Sequence, residues 1–489
     1  MMLILILLLP VFSSLLLIFM QRLAWVKFLS FGLSFLELLL VSYQLLAFQS
    51  LNLSAFPFQF STHFNWLPQY GIELYFGLDG ISAVMILITA LVMPFIILFG
   101  NDDVLNKSGR FHSFLHLTQA ALMGVFLSLN VIVFYIFWEI TLIPIFISML
   151  VWGEENKEAI TLKFFIYTFL GSLSLLFAFL FVYFQTPLPH SFNFEAFLNA
   201  DLTSSAQSWL FWFLFVGFAI KIPLFPFHSW QPQTYTIAPG QITMILSAVL
   251  MKMGVYGMLR WLLPIVPLGV AQWNTVVIVL SLIGMVYASV MALQQKNLKT
   301  MVAWSSVAHG GLIGAAIFAI SVQSVQGVIF QSFAHAIIIS GLFAVVIIIE
   351  KRTGTSMIKN LGGIRLTAPV FAGFFLILVL GSIGLPLTNG FVAEFLMILG
   401  LYGLNPCLAF FGGFSMILGA IYMLYNYQKV CLGNNTNTID FKEIGTTEMI
   451  LFALLSFIII LTGVLPGLIL NLSQISVEEL FSNFYSLTN

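Results

Sequence analysis

Long apolar runs, each about one membrane thickness, alternate along the chain with short polar turns. Crossing the hydrocarbon takes roughly 20 residues of helix. That length rule predicts fourteen spanning segments. The first seven are Met1–Met20, Phe28–Phe48, Gly80–Phe99, Phe114–Leu129, Val131–Trp152, Leu162–Phe184 and Trp209–Phe227. The rest are Gly240–Trp261, Thr275–Leu293, Met301–Ile320, Val325–Ile349, Pro369–Leu401, Phe410–Val430 and Met449–Leu470. The tightest turn, between the fourth and fifth, is only Ser128 to Asn130. The first run has no basic stretch ahead of it, so it reads as a retained helix and not a signal or transit peptide.

Two runs carry helix breakers. Segment 7 contains Ile222-Pro223-Leu224-Phe225-Pro226, and segment 12 contains Gly384-Leu385-Pro386-Leu387-Thr388-Asn389-Gly390. Proline removes a donor and clashes with the preceding turn, freeing carbonyls at membrane depth. Such backbone is tolerated only inside protein or beside a wet cavity. The two segments are an odd number apart, so they cross in opposite directions. If segments 4–8 and 9–13 are copies of one unit, they form inverted repeats, and matching breaks point to a transport site. The expected organisation is three N-terminal helices (1–110), two five-helix units (111–262 and 263–432) and a last helix with tail (433–489). The fold class is an all-α polytopic membrane protein with helices 7 and 12 discontinuous.

Composition narrows the function. Of 489 residues, 60% are hydrophobic and 7% are charged, against roughly 25% charge in a soluble domain. Soluble enzymes, disordered proteins and nucleic-acid binders are excluded, and a membrane β-barrel would alternate apolar and polar positions. The net charge of −1 says nothing about partners. Cys407 and Cys431 are too few and too far apart for an iron–sulfur cluster or zinc knuckle, and no Gly-rich phosphate loop occurs. Chemistry falls to ionisable side chains and water. Of the seventeen Lys and Arg, fifteen lie at or near loops. All but Arg260 fall on one face, Arg22, Lys27, Lys107 and Arg110 among them, as the positive-inside rule requires. Both termini are expected on the opposite side.

Six ionisable residues fall well inside the segments: Glu139, Lys221, Lys252, His309, His335 and Glu394. Lys221 lies about 18 Å into its helix at 1.5 Å per residue, immediately before the break. A charge near the bilayer centre costs at least ~2.5–3.5 kcal/mol, so each wants a partner or water. Burial disfavours a lysine's charged form and a nearby carboxylate favours it, so a lysine between these influences can trade protons. Histidine does so unaided. Six such groups at mid-depth read as a proton relay; a static Glu139–Lys221 pair is the plainer alternative. Glu37 is also mid-segment but lacks a basic residue in its own helix. Lys163 is expected to snorkel outward. His112 and His116 have metal-pair spacing without a third ligand nearby, and Asp79 reads as an N-cap.

Several stretches resemble the antiporter-like membrane chains of NADH:ubiquinone oxidoreductase, respiratory complex I. They are Phe134–Pro144 (FYIFWEITLIP), Ile220–Trp230 (IKIPLFPFHSW), Asn297–Gly310 (NLKTMVAWSSVAHG) and Gly381–Leu396 (GSIGLPLTNGFVAEFL). Chain 4 is the type resembled, because the related chains 2 and 5 usually carry Lys where Glu394 stands. The resemblance runs from about Gly71 to about Leu401. It implies a proton-pumping module with no cofactor of its own; NAD, flavin, iron–sulfur clusters and ubiquinone are expected in other subunits. It implies Glu139 and Lys221 as a coupled pair, Lys252 as the midplane carrier, and His309 and His335 leading to Glu394. Implied partners are other membrane-arm subunits, especially chains 2 and 5, in the lipid bilayer and without nucleic acid. The wider family includes cation/proton antiporter subunits, the alternative function. After Trp230 the family usually has Leu-Pro-Asp-Ala-His, where this chain has Gln231-Pro232-Gln233-Thr234-Tyr235. Asn297 and Trp304 likewise replace a usual Asp and Tyr. Sparse charge and 52 phenylalanines suggest an organelle-encoded chain of the mitochondrial inner membrane.

Overall fold

Every predicted apolar run is helical in the computed structural model, which describes residues 2–20, 25–49, 58–100, 108–433 and 441–488. Arg22 and Lys107 lie outside the described residues. With no water to bond the backbone in hydrocarbon, the helix is the form that satisfies each run internally. The helices are α1 (Met2–Phe19), α2 (Val26–Gln49), α3 (Gly80–Phe99), α4 (Gly109–Leu127), α5 (Val131–Trp152) and α6 (Lys157–Tyr183). After them come α7 (Ser204–Lys221, resumed at Gln231–Ile237), α8 (Gly240–Ile265), α9 (Pro267–Leu293), α10 (Leu298–Ile317) and α11 (Val322–Thr353). Helix α12 is split into Pro369–Ser382 and Asn389–Leu404; α13 (Pro406–Leu432) and α14 (Thr446–Val464) complete the predicted set. Among the described residues eleven helices are long and apolar enough to cross a membrane. The tight turn holds: α4 ends at Leu127, and Asn130 caps α5 through the amides of Ile132 and Val133.

Outside the fourteen, besides short helical turns such as Phe194–Leu198 and Ile364–Thr367, stand two larger elements. An antiparallel hairpin, β1 (Gln59–Leu67) and β2 (Ile72–Leu78), precedes α3, so the chain is predominantly rather than wholly helical. It turns at Gly71, whose φ of 65° is left-handed. Its Tyr75 donates to Glu195 Oε1 at 2.8 Å, tying the hairpin to the short helix Phe194–Leu198 before α7. A fifteenth helix, α15 (Gly467–Thr488), follows α14. It buries Ile469, Leu472, Val477, Phe481 and Phe484 at helical spacing and exposes Asn471, Gln474, Glu478 and Asn483 alongside Leu468 and Ile475, a partly amphipathic pattern.

Helices α3, α8, α10 and α11 are buried along most of their length, while α1, α2, α13 and α14 expose large apolar side chains. The polar residues in question therefore sit in protein, not against lipid. Both breaks have the same backbone form. In α7, Leu224 N–H bonds to the Ala219 carbonyl and Phe227 to Leu224; in α12, Leu385 bonds to Leu380 and Thr388 to Leu385. The fully buried α8 is irregular too. Its residues Leu246–Leu250 and Met258–Leu262 are π-helical turns on either side of Met251–Gly257.

Candidate functional site

Lys221 ends the first half of α7, where the last carbonyls of a helix favour a cation. Its Nζ lies 5.3 Å from the centre of the Trp138 ring, within cation–π range, and has no hydrogen bond. Glu139, next along α5, acts on Lys221 electrostatically, yet its buried Oε1 is likewise unbonded. Pro144 leaves the Ile140 carbonyl without its helical donor, and α5 is interrupted at Thr141, two residues past Glu139. The two residues are neighbours without being locked together. Behind Lys221, the Ile220 carbonyl freed by the break accepts from Trp230 Nε1 at 3.0 Å.

Lys252 is completely buried in α8. Its Nζ donates to the Ser247 carbonyl at 2.9 Å and shares a 2.9 Å hydrogen bond with His335 Nδ1. The first π turn explains the acceptor, because i→i+5 bonding withdraws the usual donors from carbonyls in that turn. The row then continues. The His335 and His309 rings meet edge to face at 5.5 Å, and His309 Nδ1 stands 3.7 Å from Glu394 Oε1. His335 Nε2 and Glu394 Oε2 are buried and unbonded. A small cavity lies between them, lined by Ser305, His309, Gln331, His335, Ser382 and Glu394. Its space for a water centre is about 10 Å³, on the order of what one water needs.

Lys221 and Lys252 share no bond, but their helices are in close contact there. A Cβ on Gly254 would stand 2.7 Å from the Phe218 carbonyl, and one on Gly310 would stand 2.8 Å from that of Ile222. Only glycine lets α8 and α10 approach the α7 break from both sides. Of the six residues singled out in the sequence, four form one continuous row and two form its neighbour. Pro223, Pro226 and Pro386 all fall in the interruptions.

One lesser expectation changes, and others gain partners. Lys163 does not snorkel: its Nζ donates to the Ser229 carbonyl at 3.1 Å and to Gln233 Oε1 at 3.0 Å, turned toward the α7 break. Asp79 caps α3 through Ser82 N–H at 2.9 Å and also pairs with Arg260 at 2.5 Å. Both hydrogen-bond rings His112 and His116 join Ser30. Among the described residues no three His, Cys, Asp or Glu side chains are grouped as a metal site. Sequence reasoning missed Trp138, whose signal was its place beside Glu139, and the Ser247 carbonyl, which has no side-chain signal.

The loop departures make a prediction. Gln233 already accepts from Lys163, and Tyr235 is buried against Phe343 at 6.0 Å. Neither side chain titrates near neutrality. Gln233→Asp with Tyr235→His is expected to leave the rate of proton uptake by vesicles carrying the chain within about a factor of two. A large gain would show that this loop admits protons.

A family profile described as NADH:quinone oxidoreductase/Mrp antiporter, TM, matches residues 128–419. NADH-quinone oxidoreductase subunit M of Rickettsia bellii (strain RML369-C) is 37% identical over 466 residues, 94% of this chain and 92% of that one. NADH-ubiquinone oxidoreductase chain 4 of Marchantia polymorpha is 32% identical over 426 residues, 86% of each chain. A chain of respiratory complex I from Thermus thermophilus with bound NADH superposes with a TM-score of 0.90 at 30% identity, covering 99% of this chain and 100% of that one. The Mrp complex from Dietzia sp. DQ12-45-1b shares the fold, with a TM-score of 0.82 at 20% identity over 97% of this chain and 51% of that one.

Proposed function

Because this chain belongs to the antiporter-like membrane subunits of NADH:quinone oxidoreductase, respiratory complex I, we propose that its row of buried charges is that subunit's proton path. By family it is a subunit of a proton-translocating enzyme. NADH oxidation and quinone reduction take place in other subunits, which hold the NAD, flavin, iron–sulfur and ubiquinone sites. The observation that carries the reading is the unbroken contact from Lys252 through His335 and His309 to Glu394. Glu139 and Lys221 control loading of that row. A proton reaching Lys252 leaves along the histidines, because two ammonium groups on neighbouring helices repel.

The division into 1–110, 111–262, 263–432 and 433–489, with helices 4–8 and 9–13 as inverted repeats, is part of the proposal. The answering hydrogen bonds at the two breaks support it. So are the neighbours, the equivalents of chains 2 and 5, and the mitochondrial inner membrane with both termini opposite the basic loops. The second reading, a cation/proton antiporter without electron transfer, rests on a likeness at 20% identity. The closer relatives carry oxidoreductase names.

His335→Phe tests the path. It fills the ring's space but cannot carry a proton from Lys252. NADH-driven proton uptake by vesicles is expected to fall at least about tenfold, one catalytic acid–base group being worth 10²–10⁴. Normal uptake in this variant would end the proposal. Proton exchange driven by a sodium gradient without NADH would favour the antiporter.

A further inference from the structure

Outside the central row, helices α2 and α4 hold a second group of buried polar residues. Ser30, Ser34, Glu37 and Gln44 follow one another down α2 at intervals of one or two turns, all buried. Helix α4 buries His112, His116 and Gln119 in the same way. The two sets meet at Ser30, whose Oγ lies 3.1 Å from His112 Nδ1 and 3.0 Å from His116 Nε2. One hydroxyl thus joins both rings, and it can donate to one while accepting from the other. His112 is in the first turn of α4, and Ser30 is one turn into α2, so the cluster sits near the end of the bundle where both helices begin.

Glu37 lies deeper, about 16 Å from the start of α2 at 1.5 Å per residue. It is 1% exposed, and neither carboxylate oxygen has a partner. The Gln119 amide and His116 Nδ1 are also unbonded. A plain structural polar group would be bonded, because an unmet buried polar atom costs on the order of 1–3 kcal/mol. The helices packed on α2 are α1, α3 and α4. Neither α1 nor α3 carries a titratable side chain. On α4 the titratable groups facing inward are His112 and His116, with Arg110 exposed at its start. Among the described residues no cation on α1, α3 or α4 faces Glu37, and Lys27, at the start of α2, donates to the carbonyls of Leu98 and Gly100. Helix α3 stands between α2 and the helices of the central row, α8 and α11, and carries no titratable side chain.

We propose that α2 and α4 form a second proton-binding site, a one-sided branch in which Glu37 binds a proton at mid-depth and the Ser30–His112–His116 cluster exchanges it with one membrane surface. A hydroxyl between two imidazoles is a path for protons. A metal ion would need Glu37 and both histidines to converge, which they do not.

Infrared difference spectra of the assembled complex across a pH step test this. A carbonyl band of a protonated carboxyl should appear as pH falls and vanish in Glu37→Gln. Ser30→Ala and His116→Phe keep the carboxyl and should delay the band after a pH jump. These two variants carry the test if Glu37→Gln fails to assemble. A band unaffected by Glu37→Gln, or one that ignores pH, would overturn the site. Unchanged kinetics in both Ser30→Ala and His116→Phe would overturn the route. A band shifted by sodium at constant pH would make it a cation site instead.

Discussion

Lys221→Met is expected to abolish NADH-driven proton translocation while the complex accumulates normally, and Glu139→Gln to do the same. Methionine keeps the length and the packing over Trp138 but carries no charge. Glutamine keeps the shape of Glu139 and removes the field that holds a proton on Lys221. A static pair would behave otherwise, because stranding one member of a buried ion pair costs ~3–5 kcal/mol and shows as lost assembly. The geometry argues for the relay: Lys221 Nζ and Glu139 Oε1 are both unbonded, so no direct hydrogen bond between the two is lost with either. The check is proton uptake by vesicles alongside the amount of assembled complex. Assembly falling in step with uptake would restore the static pair. Normal uptake in both variants would remove the two residues from the path.

Arg260→Leu is expected to have the opposite signature, a collapse in accumulated complex. Arg260 and Asp79 are both buried and meet at 2.5 Å. The guanidinium also lies 4.8 Å from the Phe58 ring centre and 5.5 Å from those of Phe194 and Tyr256. Leucine leaves Asp79 an uncompensated buried charge, at ~3–5 kcal/mol. Adding Asp79→Asn should recover much of the loss, because asparagine keeps the cap on Ser82 and removes the charge. Full accumulation of the single variant would show that water already reaches this pair. No recovery in the double variant would show that packing around the guanidinium, not charge, is what matters.

The six charged or titratable residues stand out in the sequence because membrane depth makes such residues costly. Their order was only partly legible. That Lys252 bonds His335 rather than Glu139 depends on how α8 packs against α11, which run length does not encode. The hairpin was missed because runs were read for length. Phe64, Trp66, Leu74 and Phe76 fall at alternate positions in two strands, and alternation is the strand signal. Helix α15 was missed for a related reason: its apolar residues form a stripe, not a run. Asp79 was readable as a cap from its place before α3, but Arg260 was not readable as its partner.

The π turns of α8 put the position of Lys252 under the control of chain length. Each residue of an α-helix turns the next by about 100°, and a π turn takes up one residue more than an α turn. Counting a helical wheel from Gly240 therefore loses phase at Leu246–Leu250 and points Lys252 in a direction it does not take. Forcing that turn into an even α-helix at the same chain length would swing Lys252 about a quarter-turn from His335. Every charge on the row would still be present, and the row would be open. In this helix, phase matters as much as residue identity.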